Sequence, residues 1–323
     1  MAKFIGRRAA IGIGKESSRG TAVAPTYWIP AASIGFADKV ERVVQEAGFG
    51  QIADADSSYT VKLFGEGEVE ADIHENWIGL VLAALAGAAP SSSGGPTNYV
   101  HTYTLQNINN KLSLSIAYHD PNQNVIFPFG MIDSLKIEVK PASIARATVA
   151  FRSQKSKDWA TLTPSYTNLG NKYLSRHCEF RLADTGAAYS SNIDAASKIT
   201  LVSLTLTVNN NLADWDTLGT VTPSDIVNRQ FSVDGEAELA FEDLTYRNYV
   251  VDGTYKACGI KFNYGTNNYL DIKMPKVDIR KWEPSLDLDE VATQKFTFKA
   301  LYDTDNAVNQ IGVLTLANQV ASY

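Results

Sequence analysis

Residues 65–78 read GEGEVEADIHENWI, and residues 233–246 read VDGEAELAFEDLTY, 168 positions further along the chain. Both stretches contain Gly-Glu-x-Glu, at 67–70 and 235–238, and both pass from a strand-like alternation through acidic residues into a helical pattern. Chance recurrence in a Glu-rich chain is the alternative interpretation. The similar order of elements around the two stretches favours an internal duplication, with a first domain at 1–160 and a second at 161–323.

Alternation of apolar and polar residues dominates the rest of the chain and predicts a mainly β fold. In 111–118, for example, Leu112, Leu114 and Ile116 alternate with polar neighbours. Helical patterns are few, at 75–85 and at 243–255, so we expect one helix in each half. The predicted strands are 59–64, 111–118, 134–140, 146–151, 198–208, 256–264, 269–274 and 294–301. A segment rich in Ser, Thr, Pro and Asn, 155–171, marks the predicted joint between the halves.

The carboxylates of the repeated stretch are spaced by two, which places each set on one face of a strand. The two sets are Glu66, Glu68, Glu70 and Asp72 in the first copy and Asp234, Glu236 and Glu238 in the second. A solvated outer face is one interpretation, and a surface that repels polyanions such as DNA is the other. Glycoside hydrolysis needs two carboxyl groups in contrasting environments, and a row along one strand does not provide them.

Composition narrows the function further. The 323 residues carry 29 Lys and Arg against 35 Asp and Glu, a net charge of −6 that argues against binding to nucleic acid through phosphates. Two cysteines, Cys178 and Cys258, fit a reducing compartment. The longest apolar run, 77–89, is too short to span a bilayer, and the N-terminus does not read as a signal peptide. We therefore expect no membrane association.

Sequence signatures of catalysis are missing. The stretch 12–15, Gly-Ile-Gly-Lys, lacks the first Gly and the final Ser or Thr of a phosphate-binding loop. His74, His101 and His119 have no neighbours at metal-ligand spacing, and the adjacent His177 and Cys178 point to opposite faces of a strand. These patterns predict no catalytic residue, no metal and no cofactor, and hence a protein that is not an enzyme.

The run 11–26, IGIGKESSRGTAVAPT, resembles the opening of phage tail tube proteins, in which a strand precedes I-G-x-E-x-x-x-G-T-A-x-x-P-T. The order of later elements is similar to that family as well. The resemblance implies a virion protein of a long-tailed bacteriophage, assembled in the host cytoplasm with other phage tail proteins. Its subunits would join into rings that form a continuous β-barrel, and the stacked rings would form a channel through which DNA passes without specific binding.

The duplication refines what the resemblance implies. Two tandem tail-tube-type β-sandwich or half-barrel domains per chain favour a trimer with pseudo-sixfold symmetry, with a hexamer as the alternative. Long polar segments, 41–59 and 209–229, are then candidates for contacts between rings, with flexible surface loops as the alternative. The terminal segments 1–8 and 317–323 are expected to be contact arms or frayed ends. The candidate contact residues are Gln45, Phe49, Asp54, Asp56, Trp215, Asp216 and Asp225.

A carbohydrate- or receptor-binding β-sandwich of a phage tail is the second functional interpretation. Aromatic residues make up 10% of the chain and could stack on sugar rings. They are spread over separate segments, without a local cluster in the sequence. The candidates are Tyr27, Trp28, Trp159, Trp215 and Trp282.

Overall fold

Strands that alternate between a buried and a polar face dominate the computed structural model, which describes residues 3–95, 97–286, 288–289 and 291–323. In chain order the first half contains β1 (Ala10–Lys15), β2 (Tyr27–Ile29), β3 (Ala31–Ile34), β4 (Ala37–Gln45), β5 (Ser57–Asp72), α1 (Glu75–Ala86), β6 (Ser91–Gly95), β7 (Asn98–Tyr103), β8 (Leu114–Asp120), β9 (Gln123–Val139), β10 (Arg146–Gln154) and β11 (Lys157–Asp158). The second half contains β12 (Cys178–Ala183), α2 (Tyr189–Ala195), β13 (Ser203–Asn209), β14 (Leu212–Trp215), β15 (Asp225–Asn228), β16 (Ser232–Ala240), α3 (Thr245–Asp252), β17 (Lys256–Gly265), β18 (Asn268–Ser285), β19 (Thr293–Ala300) and β20 (Val313–Asn318). The mainly β prediction is confirmed.

One long antiparallel sheet runs through both halves in the order β4, β5, β10, β9, β13, β16, β19, β18, β17, β12. Side ladders branch from it, with β1, β2 and β11 reached through β8 and β9, and β20, β7 and β6 reached through β18. The two halves meet where β9 pairs with β13, and a single buried cluster contains side chains from both. Among the described strands the sheet has free edges, because β4 forms a ladder only with β5, β12 forms a ladder only with β17, and β18 has no ladder opposite β19 beyond Val277.

The same four-strand pattern occurs once in each half. The order β8, β9, β10, β5 in the first half matches β17, β18, β19, β16 in the second, with every neighbouring pair antiparallel. The β9–β10 register skips Asp133, and the β18–β19 register skips Arg280, which is 147 positions later. In the same way, the β8–β9 register skips Ser115, and the β17–β18 register skips Ala257, 142 positions later. Matching irregularities of this kind are stronger evidence of likeness than strand order alone, because a bulge is a specific local feature.

Helix α1 is the centre of the first half. Its residues are buried on all sides, and it ends at Gly87, whose φ of 101° lies in the left-handed region that glycine favours. Its counterpart α3 buries no residue, and α2 is an additional helix. The expectation of one helix per half is therefore wrong for the second half. The apolar Trp77 and Leu80 of α1 correspond to Thr245 and Asn248 of α3, and this loss of apolar surface explains the exposed position of α3.

The last residues of the chain pack against α1. The Tyr323 ring lies where a Cβ at Gly79 would be, and its hydroxyl accepts a hydrogen bond from the Asn318 amide at 2.6 Å. Burial raises the pKa of Tyr323. The expectation that 317–323 forms a contact arm or a frayed end is therefore wrong. Residues 1–2 of the N-terminal segment lie outside the described residues, and residues 3–8 are exposed.

Candidate functional site

The two rows of carboxylates lie on the same face of the continuous sheet. The first row belongs to β5 and the second to β16, and the strands β10, β9 and β13 lie between them. Four strand spacings of about 4.8 Å put the rows about 19 Å apart. The face between them carries further polar side chains, including Lys136 and Glu138 of β9 and Thr205 of β13. We refer to this side of β5, β10, β9, β13, β16, β19 and β18 as the polar face.

Basic residues of the neighbouring strands face most of these carboxylates. On β10, Arg146 lies 2.6 Å from Glu70, and Arg152 lies 3.3 Å from Glu66. On β19, Lys295 and Lys299 occupy the positions that correspond to Thr148 and Arg152 of β10, opposite the second row. The further ion pairs of the two rows are Arg146–Asp72 at 3.8 Å, Lys172–Asp72 at 3.3 Å, Lys295–Glu236 at 2.6 Å and Lys299–Asp234 at 3.7 Å.

Two members of the rows lack a basic partner among the ion pairs of the described residues. Glu68 lies opposite Ala150 and is exposed, whereas Glu238 accepts hydrogen bonds from Ser203 at 3.0 Å and Thr293 at 3.3 Å. The polar face is therefore striped with both signs of charge instead of being uniformly acidic. Such exposed pairs add little stability, and their main effect is to lower the net negative potential that the carboxylates alone would produce. That this face lines a channel stays a prediction.

The first candidate contact segment is the end of a projecting hairpin. β4 and the first part of β5 form this hairpin, and Gln45 pairs with Ser57 at its end. We call residues 37–64 the arm. Residues 41–45 and 57–59 are strands, so the prediction of a polar loop over the whole of 41–59 is wrong, and the connecting loop is 46–56. Phe49, Asp54 and Asp56 lie exposed in that loop.

The arm exposes a large apolar surface. All nine residues of β4 are exposed, although the strand contains three valines, and Val43 is 56% exposed. An exposed strand with unpaired backbone groups and apolar side chains is a template for pairing with another chain. The exposed apolar residues of the arm are Val40, Val43, Val44, Phe49, Ile52, Tyr59 and Val61.

The second candidate segment is also a hairpin, but it is docked inside the chain. β14 and β15 pair with each other, and Leu212 and Ile226 pack on Phe129 and Met131 of β9. The prediction of a long polar loop at 209–229 is therefore wrong. Of the candidate residues, Trp215 is 63% exposed. Asp216 and Asp225 form ion pairs with the first half, to Lys62 at 2.8 Å and to Arg19 at 3.0 Å.

A buried carboxylate of this docked hairpin also binds two cations of the first half. The Asp214 side chain is 4% exposed and lies 2.6 Å from both Lys62 Nζ and Arg152 Nε. Burial by itself lowers the pKa of Lys62 and of Arg152, but Asp214 together with the other nearby carboxylates outweighs it, and both pKa values are raised. Lys62 also faces the Phe64 ring, and Arg152 lies 5.0 Å from its centroid, so cation–π contacts add to the cluster.

The structure gives the N-terminal motif a physical explanation. Glu16 is 6% exposed, and its carboxylate accepts four hydrogen bonds. They come from the Ser113 hydroxyl at 2.6 Å, the Gly20 amide at 2.7 Å, the Phe129 amide at 2.8 Å and the Ser115 hydroxyl at 2.9 Å. Gly20 has a φ of 80°, which a glycine adopts without strain. The motif thus fastens β1 to β8 and β9 and positions the turn that carries Arg19.

Sequence reasoning quoted Glu16 as part of a motif and did not recognise it as a buried acceptor. The signal that could have found it is its position just beyond the apolar run 10–14, separated from it by Lys15 alone. Sequence reasoning also missed Asp214, because its partners Lys62 and Arg152 are distant in the sequence.

The aromatic residues considered as sugar platforms do not form one exposed surface. Tyr27 and Trp28 are buried, and Trp28 packs with Trp159 in a small cluster. Trp282 is half-buried, and its indole N–H donates a hydrogen bond to Gln294 at 2.9 Å. Trp215 is exposed on β14 of the docked hairpin, and none of the other four aromatic residues lies on that strand.

Groups that commonly carry chemistry are embedded in the structure. Burial raises the pKa of Cys178 to about 12 and that of Cys258 further, so both favour the neutral thiol. His101 lies between Ser92 and the main-chain oxygen of Val320, and burial lowers its pKa. Within the described ranges, His, Cys, Asp and Glu side chains form no group of three or more that could hold a metal ion. In that same part of the chain, every helix is too short or too polar to cross a membrane.

Taken together, the free sheet edges and the exposed apolar arm are surfaces of the kind that pair with other chains. A family model described as phage tail tube protein matches residues 6–300. The chain belongs to this family, which confirms the resemblance of its N-terminal motif and makes the protein a structural component of the phage tail. No curated protein matches the chain.

Proposed function

We propose that this protein is the tail tube subunit in which two tube-forming units are fused, and that its copies join into rings around a channel for phage DNA. The observation that carries the proposal is the repeated sheet, β8–β9–β10–β5 and β17–β18–β19–β16, with the register skips at equivalent positions. Two like units in one chain fit an internal duplication, with the boundary in the region 155–171. One chain then supplies two of the units that make up the ring.

Ring formation would satisfy the open edges of the sheet. The strands β3–β4, β5, β10, β9, β13, β16, β19 and β18 form eight adjacent positions in each chain, if β3 and β4 are counted as one interrupted strand. Three chains would contribute 24 strands, and at about 4.8 Å spacing and about 40° tilt such a barrel measures roughly 50 Å between opposite backbones. That width leaves room for a nucleic acid duplex, which supports a trimer with pseudo-sixfold symmetry.

The polar face is the surface we assign to the channel. It is the hydrophilic side of the strands that would form the barrel, whereas the opposite side carries the core and α1. Its stripes of paired charges present few uncompensated cations to a polyanion, so DNA would pass without lasting contacts. The distal part of the arm, from Val43 to Tyr59, is the element we assign to contacts between stacked rings.

Electron microscopy of the purified full-length protein tests the proposal. We expect rings or tubes whose end-on views show threefold symmetry with a sixfold-like outline and a central opening. A strictly monodisperse monomer at high concentration, with the other tail proteins present, would overturn the tube assignment. Rings of six chains would overturn the trimer.

A further inference from the structure

The two halves of the chain are joined by a seam that has two free counterparts, one on β3 and β4 and one on the part of β18 beyond Val277. At the seam β9 pairs with β13, in the register Leu204 with Val139, Leu206 with Ile137 and Val208 with Leu135. On the other edge of β13, Ser203 pairs with Glu238 of β16. The seam is therefore the place where one repeated unit continues into the next.

Each partner of the seam has an equivalent in the other half. β9 corresponds to β18 with an offset of 147, because the pairs Lys136–Thr148 and Glu283–Lys295 occupy equivalent register positions. β13 corresponds to β3 and the start of β4 with an offset of 170, because Ser33 pairs with Glu70 as Ser203 pairs with Glu238. β5 corresponds to β16 with an offset of 168, so the strand that pairs with β3 and β4 also has its equivalent next to β13.

Within the described chain, residues 281–284 of β18 and residues 33–39 of β3 and β4 have no strand ladder on the corresponding edges. Beyond Val277, β18 pairs with β19 on one side, and the ladder with β17 has ended on the other. β3 and β4 pair only with β5. The Gly35 amide donates to the Glu68 carbonyl of β5, so the alternation of a strand directs the amides of Ile34, Phe36 and Asp38 to the unpaired edge.

Apolar side chains are more exposed at these equivalents than at the seam, as expected where a partner strand is missing. Val139 is 6% exposed at the seam, whereas its equivalent Leu286 is 63% exposed. Leu204 is 2% exposed, whereas its equivalent Ile34 is half-buried. The free edges thus leave open to solvent apolar side chains that the seam covers.

We infer that β18 of one chain pairs with β3–β4 of a second copy of this chain in the register that the internal seam prescribes. Transferred by the two offsets, that register pairs Phe36 with Pro284, Ala37 with Glu283, Asp38 with Trp282 and Lys39 with Lys281. The partner is a second copy because the seam inside the chain is the template for the contact. This inference rests on the proposed ring and specifies its interface.

Charge and backbone chemistry agree with this register. Lys39 and Lys281 would face each other, but Glu283 lies diagonally from Lys39, and Glu41 lies diagonally from Lys281. Lys281 and Glu283 already pair with each other at 2.6 Å within one chain. Diagonal neighbours about 7 to 8 Å apart are within reach of long side chains, so Glu283 would also reach Lys39 and Glu41 would reach Lys281, which offsets the repulsion of the two lysines. At the seam, the backbone N–H of Asn210 donates to the Asp133 carbonyl at 2.8 Å. Because backbone groups point alternately to the two edges of a strand, the backbone N–H of Ile137 also points toward β13.

The equivalent of Ile137 is Pro284, which has no amide to donate. Its place on the free edge leaves the ladder with β19 intact and removes one hydrogen bond from the interface. A proline at a strand edge discourages indiscriminate pairing, so a partner must supply matching side chains as well as a backbone.

Disulfide trapping in the full-length protein tests the register. Ala37 and Glu283 would form a non-hydrogen-bonded pair with Cα atoms about 4.5 Å apart, which suits a disulfide. We expect A37C/E283C chains to crosslink under mild oxidation into a ladder that ends at three chains. The second in-register pair, K39C/K281C, should behave alike and covers the case in which the first variant fails to fold. The two native cysteines serve as an internal control, because Cys258 is buried and Cys178 half-buried.

The matched control shifts the register by two residues. In A37C/K281C the Cα atoms would be about 7 to 8 Å apart, so crosslinking should fall on the order of tenfold. Equal or stronger crosslinking of this control would overturn the register. Tubes in the microscope without crosslinks from either in-register pair would overturn the inference and leave the proposed function standing. Monomers in both experiments would overturn both, and crosslinks within single chains would overturn the contact with a second copy.

Discussion

The arm and the docked hairpin occupy the same place in the two repeated units and have opposite environments. Gln45 pairs with Ser57 at the end of the arm, and Trp215 pairs with Asp225 at the end of β14–β15, at offsets of 170 and 168. The arm is exposed along the whole of β4, whereas β14–β15 packs on β9. The same place in the repeated unit therefore allows a hairpin that projects or a hairpin that packs on β9, and the side chains decide which of the two forms.

The selecting side chains can be read from the equivalent positions. Leu212 and Ile226, which pack on Met131, correspond to Arg42 and Ser58 in the arm. Asp214, which lies between two cations, corresponds to Val44. The docked hairpin thus carries the groups that its own chain can satisfy, and the arm carries apolar groups that its own chain leaves exposed.

Removal of the buried carboxylate of the N-terminal motif should have the largest effect. In E16A four donors lose their acceptor, and the turn that carries Arg19 loses its support, so we expect a loss of about 3 to 5 kcal/mol in the free energy of unfolding. Urea denaturation followed by circular dichroism measures it. S17A, a change at an exposed neighbour, should stay within about 0.5 kcal/mol of the wild type. Equal midpoints for E16A and the wild type would contradict the structural role.

Release of the docked hairpin itself should have the next largest effect. D214A leaves Lys62 and Arg152 without their shared partner, and these side chains are 14% and 25% exposed, so we expect a loss of about 2 to 3 kcal/mol, below that of a fully buried pair, and faster proteolysis within 210–230. D216A is the matched control, because that side chain is 55% exposed and its pair with Lys62 contributes about 0 to 1 kcal/mol. If the two variants are cleaved at the same rate, Asp214 does not hold the hairpin.

A change on the arm should have the smallest effect on folding and a strong effect on assembly. V43E adds a charge to a side chain that is 56% exposed, so stability should change by about 0.5 kcal/mol or less. Tubes should be lost from electron micrographs, because the apolar arm surface would no longer fit a partner. V251E, at a 67% exposed position of α3, should still assemble. Normal tubes formed by V43E would remove the arm from the proposed contacts.

Local patterns were sufficient for elements whose environment repeats along the chain. The alternation in 146–151 placed β10, and the apolar stripe followed by Gly87 placed α1 within one residue. The same reasoning failed for 41–59 and 209–229, where polar composition suggested loops and the structure has paired strands. Exposed or charged hairpins lack the alternation that burial on one face imposes, so their strands were invisible in the pattern.

For the candidate surfaces, too, residue spacing predicted one part and strand pairing decided the other. Spacing by two was enough to put Glu66, Glu68 and Glu70 on one face, because a strand has a period of two residues. The cations opposite them could not be predicted, since Arg146 and Arg152 reach those carboxylates only through the β5–β10 register. The repeated stretch of sequence indicated that the two halves are alike. The equivalent register skips at Asp133 and Arg280 could be seen only from the strand pairing in the structure.

By itself, the sequence determined the β character, the family motif at 11–26 and the two matching acidic strands, because each depends on residues that are neighbours in the chain. Only the tertiary structure decided that one hairpin folds back while the other projects, that Glu16 is a buried acceptor, and that the sheet continues from β9 into β13. Those features depend on contacts between residues far apart in the chain, whose partners are chosen by packing, hydrogen bonding and charge once the whole chain has folded.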